Sequence, residues 1–470
     1  MILRTIDSVI QMLDADLIEG GDLDAVISGV STDSRSCGRG SLFIPLVGER
    51  FDGHDYAAQA IAQGAGALLW QKDHPDHPHG IPVIGVDDTL QALQKLASAY
   101  RDSLDLVVIG ITGSNGKTSV KDILSSMLSR RYVTGKTKGN RNNEIGVPLT
   151  LLELSEEDQV AVVEMGMENR GEIDLLTRMV KPDIAIITNV GEAHLENLGS
   201  LENIARAKAE IVHGLKENGV LLYNGEQPVL SAALAAEQLP AGVTVESFGS
   251  SREQDLFSYG RIQQGADGLR FCTNLMAAEV YMNVYGAHQV LNALPAIYAA
   301  KALGLSEEEI LAGLAHIEKT GMRNDVIAVR QGWILDDSYK SNRQSALAAL
   351  KTLHDFDVPR RVAALSDMLD MGEAGPMLHY AVGKAVAEYG IDRLCTWGEM
   401  SRFTAQGAIN AGMKDVTHFE TKEAMQRSLM NELDAPCMIL VKGSRGMHMD
   451  SVVDCLTEKD KGSVEHVEHE

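Results

Sequence analysis

Positive charge is in short supply along this chain of 470 residues, which carries 42 Lys and Arg against 66 Asp and Glu, a formal net charge of -24. A nucleic-acid binder needs a basic stripe to meet phosphates, so this balance argues against that class of partner. Cysteine is sparse too: Cys37, Cys272, Cys395, Cys437 and Cys455 stand apart, without the C-x-x-C spacing of a zinc site or the density of a disulfide framework. A reducing compartment fits. No apolar run approaches the length needed to cross a bilayer, and the opening Met-Ile-Leu-Arg-Thr-Ile-Asp lacks the basic-then-apolar order of a secretion signal. A cytoplasmic protein without membrane or nucleic-acid partners is expected, with about two to four domains for a chain of this length.

What the chain does have is Gly110-Ile-Thr-Gly-Ser-Asn-Gly-Lys-Thr118, where the apolar run Leu106 to Ile111 enters a glycine turn that opens a helix. Such a turn makes a phosphate cradle. Thr112, Gly113, Ser114, Asn115 and Gly116 supply backbone N–H groups, and the helix dipole adds positive potential. Lys117 can reach a terminal phosphate and the Thr118 hydroxyl can hold Mg²⁺. Ile111 stands where the general G-x-x-x-x-G-K-[ST] pattern has its first glycine, so this is the tighter T-G-x-x-G-K-T form. The reading is a nucleoside triphosphate site, against the plain alternative of an ordinary glycine turn.

Hydrophobic periodicity divides the chain into an α/β protein of three domains. Residues 1–103 mix short apolar runs with turn-rich spacers, as in a small α/β unit. From 104 to 320 strand-like runs (Leu106 to Ile111, Val160 to Met165, Ile184 to Val190, Val220 to Tyr223) alternate with helical patterns, which predicts a mostly parallel sheet covered on both faces. From 321 to 456 the alternation resumes, with strands near Trp333, Arg361, Arg393 and Cys437, and reads as a second doubly wound, Rossmann-like domain. Residues 457–470 are charged and nearly free of apolar side chains, so a disordered tail is expected there.

Ligands in such sheets bind beyond the carboxyl ends of the strands. Glu164 follows the second strand of the middle region and His194 follows the third, so a carboxylate and an imidazole near Thr118 could complete a Mg²⁺ site around ATP phosphates. A satisfied loop histidine is the bland reading of His194. Lys208 is more unusual, because it falls inside the apolar stripe of Leu201, Ile204, Ala205, Ile211, Val212 and Leu215. Either it snorkels or pairs with Glu164 or Glu192, or desolvation leaves a neutral amine that combines with carbon dioxide to give a carbamate facing the metal. Ser31, Asp33 and Arg35, with His54 nearby, are candidates for ligand recognition in the first region, although a polar turn looks the same. Lys442 and Arg445 open a helix at a strand end, where they could meet a substrate carboxylate or form a solvated basic turn.

Together these segments resemble the ATP-dependent Mur ligases. The resemblance covers almost the whole chain: Gly29 to Arg35, Gly48 to Asp55, Thr112 to Thr118, Gly139 to Gly146, Glu164 to Gly166, His194, Ala207 to Ile211, Gly286 to Asn292, Asp336 to Tyr339, Asp367 to Gly372 and Val441 to Arg445. It implies a UDP-sugar-binding first domain, an ATPase middle domain and a last domain that closes over ATP and an amine. Within the family the motifs look most like the members that add D-alanyl-D-alanine to UDP-N-acetylmuramoyl-tripeptide through an acyl phosphate. By the resemblance, Lys117, Lys208 and His194 are catalytic. Thr118, Glu164, His194 and the carbamylated Lys208 hold Mg²⁺, two ions in all. Asn292, Arg323 and Asp337 contact ATP, and Asn143 and Tyr339 lie with the substrates. A monomer is expected.

The chain departs from the family pattern in three places. Gln289 stands where Asn is common, Gly-Met-Arg-Asn-Asp surrounds Arg323 in place of Pro-Gly-Arg with a following Glu, and the usual Y-N-A-N-P reads Tyr339-Lys-Ser-Asn-Arg343. The last falls on the segment the family uses near the amine. The rival readings are a related ligase with another amine, such as one like folylpolyglutamate synthase, and a nucleotide-binding paralogue without catalysis.

Overall fold

A computed structural model describes residues 1–265 and 267–464, with side chains described as far as Thr457. The first region holds β1 (Leu3–Thr5), β2 (Asp16–Glu19), β3 (Val26–Ser28), β4 (Val30–Ser31), β5 (Ser41–Phe43), β6 (Ala65–Gln71) and β7 (Val83–Val86). β1 and β3 pair as a ribbon, and the others form a sheet of order β2-β7-β6-β5-β4, parallel except for β2. Leu68, Leu69, Val83 and Ile84 are buried, as parallel strands covered on both faces require. The helix Thr89–Asp102 follows, its first turn capped by the Asp88 carboxylate.

That helix joins the first sheet to the second. Ile2, Leu96, Tyr100 and Leu104 share one apolar core with Leu151, Leu154, Met179 and Val180. Tyr100 Oη donates to the Leu154 carbonyl at 2.8 Å, and Arg101 Nε to the Val180 carbonyl at 3.1 Å. The core runs without a break through residue 103, where the sequence pattern changes character.

The second sheet contains β8 (Val107–Thr112), β9 (Thr134–Lys136), β10 (Val160–Glu164), β11 (Ile184–Ile187), β12 (Val220–Asn224), β13 (Thr244–Gly249), β14 (Leu256–Gln264), β15 (Leu269–Thr273) and β16 (Val280–Met282). Its order is β16-β15-β14-β13-β12-β11-β8-β10-β9. The strands from β9 to β14 in that order are parallel, as expected, while β14, β15 and β16 add an antiparallel extension that apolar runs alone did not reveal. Burial along β14 breaks off after Ser258, so that extension faces solvent on one side and leaves no continuous apolar run. β8 lies between β10 and β11, so the connections leave it in opposite directions and open a crevice at its carboxyl end.

The third sheet comprises β17 (Asp325–Val329), β18 (Gly332–Asp337), β19 (Arg361–Ser366), β20 (Arg393–Trp397), β21 (Val416–Phe419) and β22 (Met438–Lys442), ordered β17-β18-β22-β19-β20-β21 and parallel except for β17. Separate apolar cores cover its two faces. β22 enters between β18 and β19, which sets Asp337 opposite Lys442. The last helix, Asp450–Val464, runs past residue 457, where a tail was expected. Buried Val452 and Leu456 anchor it, and the Thr457 hydroxyl donates to the Val453 carbonyl at 3.0 Å. The rest of that expectation, 465–470, lies outside the described residues. Among the described residues no helix is long and apolar enough to cross a membrane.

Two helices on the third sheet, Gly375–Glu388 and Ser401–Asn410, cross with almost no gap. A Cβ at Gly383 would lie 1.9 Å from the Thr404 carbonyl oxygen, and one at Gly407 would lie 2.2 Å from that of Tyr380. Gly383→Ala must push backbone against backbone. It is expected to destabilise this region by roughly 1–3 kcal/mol, read as a lower urea midpoint, whereas Ala at the open position Gly38, whose φ is not positive, has no such neighbour.

Candidate functional site

The glycine turn lies where β8 ends and the helix Lys117–Leu128 begins. Gly113 and Gly116 have φ of 147° and 83°. A Cβ at Gly113 would meet Thr188 Oγ1 at 1.8 Å, so glycine is required there both for conformation and for space. No side chain caps the helix, so its first N–H groups stay available to an anion. The turn is braced from β11: Asn189 accepts from the N–H of Ser114 and Asn115, and Thr188 Oγ1 donates to the Asn115 carbonyl. Lys117 curls back to donate to the Gly113 carbonyl at 2.8 Å. Burial brings its pKa down to about 8.

Three strand ends meet beside this turn. Thr118 Oγ1 donates to Glu164 Oε2 at 2.9 Å, and Asn142 Nδ2 holds the other carboxylate oxygen at 2.9 Å. His194 has φ of 63° and heads the short helix Leu195–Leu198. Its Nε2 accepts from Lys340 Nζ at 3.3 Å. Burial first, then the charges of Lys340, Lys208 and Lys117, push this imidazole down to about 3, so it is neutral at ordinary pH and its one lone pair, on Nε2, faces Lys340. Lys208, in the helix Leu201–Ala209, is 2% exposed. Burial and the nearby Lys117 and Lys340 hold it well below the ordinary lysine range. The pairings considered for it are otherwise engaged: Glu164 with Thr118 and Asn142, Glu192 with Arg343 at 2.6 Å.

The opposite wall comes from the third sheet and the linker before it. Asn342 Nδ2 donates to Asn115 Oδ1 at 2.8 Å, and Asn115 Nδ2 donates to Gln344 Oε1 at 3.0 Å. Arg323 stacks 4.1 Å from the centre of the Tyr339 ring, and its buried Nε has no partner among the described residues. Asn292 donates to Gln289 Oε1 at 2.8 Å and leans over the turn, 2.4 Å from where a Gly116 Cβ would stand. The Gln289 departure thus has a job: it orients Asn292. Asp337 is bound by Lys442 at 2.5 Å, and Lys442 also donates to the Lys340 carbonyl at 2.8 Å. Lys442 is therefore committed within the protein, while Arg445 bonds Asp450 at 2.7 Å and remains half-exposed. Asn143 lines the cleft and accepts from the Gly146 N–H.

These walls enclose a cleft of about 810 Å³. The expected residues of the middle and last regions line it, apart from Thr112, Gly113 and Lys208, the last of which acts on His194 from behind the wall. The first-region candidates do not line it. Ser31, Asp33 and Arg35 hold one another in an exposed turn. His54 is 3% exposed, with Nδ1 against Asp52 at 2.6 Å and Nε2 accepting from the Gln71 N–H. Sequence reasoning missed Asn142, Asn189, Lys340 and Asn342 as cleft residues. Asn189 carried a signal, since it is a polar residue two positions beyond the end of β11; the others sit in turns without periodicity.

Three family models match consecutive stretches: "Mur ligase family, catalytic domain" over 26–101, "Mur ligase middle domain" over 111–300 and "Mur ligase, glutamate ligase domain" over 322–445. The UDP-N-acetylmuramoyl-tripeptide--D-alanyl-D-alanine ligase of Bacillus subtilis is 39% identical over 97% of this chain and 99% of its own. The enzyme of the same name from Escherichia coli is 35% identical over 97% and 99%. Among solved structures, MurF from Acinetobacter baumannii superposes with a TM-score of 0.87 at 30% identity, over 97% of this chain and 99% of that one.

Burial also fixes the acid behaviour of the cleft. His288, which accepts from Asn324 Nδ2 at 3.2 Å, is pushed by burial down to about 4. In the unfolded chain it would titrate near 6.5, so between those values the unfolded state binds the extra proton. The neutral imidazole thus contributes stability above about pH 6.5 that is lost as pH falls toward 4. His288→Gln is expected to flatten the dependence of the urea midpoint on pH in that window, measured from pH 7.5 to 4.5.

Proposed function

Because this chain belongs to the Mur ligase family, we propose that it uses ATP to join D-alanyl-D-alanine to UDP-N-acetylmuramoyl-tripeptide, completing the cytoplasmic pentapeptide precursor of peptidoglycan. The observation that carries this reading is the meeting of the glycine turn, Glu164, His194 and the charge of Lys208 at one cleft between the second and third sheets. We assign residues 1–103 to the nucleotide-sugar, 104–320 to ATP and 321–456 to closure over the amine, in a monomer whose residues 457–470 take no part.

The terminal carboxylate oxygen of the tripeptide attacks the γ-phosphorus of ATP; a P–O bond forms, the bridging P–O bond breaks, and ADP leaves. The Ser114 and Asn115 N–H groups are taken by Asn189. It is therefore the uncapped N–H groups at the start of the helix Lys117–Leu128, with the Lys117 side chain, that stabilise the charge on the transferring group, a task of positioning and electrostatics. The free amine of the dipeptide then attacks the acyl carbon, loses a proton, and expels phosphate from the tetrahedral intermediate. Asn292 and Arg323 orient the nucleotide, Arg323 through the buried Nε that lacks a protein partner. Asn143, Tyr339 and Arg445 face the peptide and the amine. Asp337 and Lys442 act as a fixed pair that shapes the wall. Ser31, Asp33 and Arg35 meet the nucleotide-sugar, and His54 acts only as a brace behind them. Exclusion of water by the third sheet protects the acyl phosphate.

The donor set suits Mg²⁺: a hydroxyl and a carboxylate in contact, and a neutral imidazole whose lone pair is held by Lys340 alone. Thr118, Glu164, His194 and a carbamylated Lys208 would hold two such ions, which neutralise phosphate oxygens when bound. The neutral Lys208 amine adds carbon dioxide and releases one proton, which turns an uncharged buried amine into an anion near Lys117, Lys340 and His194.

Phosphate release from ATP with the UDP-muramoyl tripeptide should require D-alanyl-D-alanine. Release indifferent to the dipeptide would refute the acceptor assignment. Lys208→Ala should lower turnover by about 10²-fold or more, with partial recovery in short carboxylic acids. Full activity in that variant would remove the carbamate from the mechanism.

A further inference from the structure

Lys340 has no role in the reaction as described. It follows β18, and its Nζ crosses from the third sheet to donate to His194 Nε2 at 3.3 Å. The backbone around it is fixed. Its carbonyl accepts from Lys442 Nζ at 2.8 Å, and two residues on, Asn342 caps the helix Arg343–Asp355 while donating to Asn115 of the glycine turn at 2.8 Å. The side chain, with four methylenes, is the part free to swing.

Its surroundings make the resting position provisional. Lys117, Lys208 and Arg323 share the cleft, and the carboxylates that act on Lys340, those of Asp370, Glu168 and Glu164, do so only through space. His194 is thus the hydrogen-bond partner of an ammonium on an exposed residue that has no ion pair among the described residues. That ammonium takes the lone pair of His194 that a divalent cation would use. Nucleotide with its cation brings both a competitor for His194 and the anionic oxygens that Lys340 lacks.

We propose that Lys340 leaves His194 for the terminal phosphoryl group of ATP, so that the third sheet supplies a cation to the transferred group and distinguishes ATP from ADP. This rests on the ATP-dependent reading above. The residue is one of those that depart from the family pattern, which makes it a feature of this chain's own cleft.

Two binding measurements on the full chain test it without turnover. Calorimetry with the non-hydrolysable β,γ-imido analogue of ATP and with ADP, both with Mg²⁺, should show that Lys340→Met weakens the analogue about tenfold or more and leaves ADP within about twofold, while Lys340→Arg keeps most of the difference. Mn²⁺ alone, titrated by electron paramagnetic resonance without nucleotide, should bind Lys340→Met more tightly than the native chain, because the competing ammonium is gone. A purely structural lysine would not tighten cation binding. Equal loss for both nucleotides, no loss for either, or Mn²⁺ binding that is unchanged or weaker overturns the proposal. Failure of phosphate release with every acceptor would instead sink the ligase reading and leave these results interpretable.

Discussion

Buried positive charge is the constraint on which the rest of this molecule turns. Lys117, the buried Lys208 and the more exposed Lys340 meet at one cleft, where Glu164 is the carboxylate beside the glycine turn, with both its oxygens already held by Thr118 and Asn142. Taking an ion out of water costs several kcal/mol even after relaxation, on the order of what a whole domain has in reserve. Desolvation and mutual repulsion depress the proton affinity of these lysines and keep His194 neutral. A polyanion relieves all of these groups together, so binding of a triphosphate and protonation of the cleft are one linked event. The glycine turn sets where the anion lies, and the lysines set how strongly it is wanted.

The two seams between the sheets differ in kind. First and second sheets share apolar side chains, whereas second and third meet mainly through polar pairs, Asn115 with Asn342 and Gln344, Glu192 with Arg343, and His194 with Lys340. Beside these stands a ring contact of Tyr285 with Phe356 at 5.3 Å. Polar seams exchange protein partners for water or ligand at small net difference, so they open and close without sacrificing a core. A ligase that must admit two bulky substrates and then exclude water needs that property on one side of its nucleotide and rigidity on the other.

Much of this was legible in the sequence, for physical reasons. β8, β10 and β11 are covered on both faces and so read as unbroken apolar runs, which located the residues just beyond them: the turn, Glu164 and His194. Lys208 was visible because a charge inside a helical stripe violates the pattern. The antiparallel extension from β14 to β16 was not, since one-sided burial and turns leave no continuous run. Lys442 was read as open to substrate, but sequence alone does not disclose that β22 inserts beside β18 and gives it Asp337 as a partner. His54 was misplaced for the same reason, because only the fold shows that Asp52 and the Gln71 backbone absorb both its nitrogens.

The interior shared by Ile2, Tyr100, Leu151 and Val180 also bears on how such a chain can be rebuilt over evolutionary time. A recombination crossover near residue 103 would cut through one oily interior and leave each fragment with a naked face, so the first two modules must be inherited as a unit. A crossover near residue 321 severs mainly hydrogen bonds between asparagines, glutamine and charged groups. New acceptor chemistry can therefore be grafted onto an unchanged nucleotide engine by exchanging the last module alone.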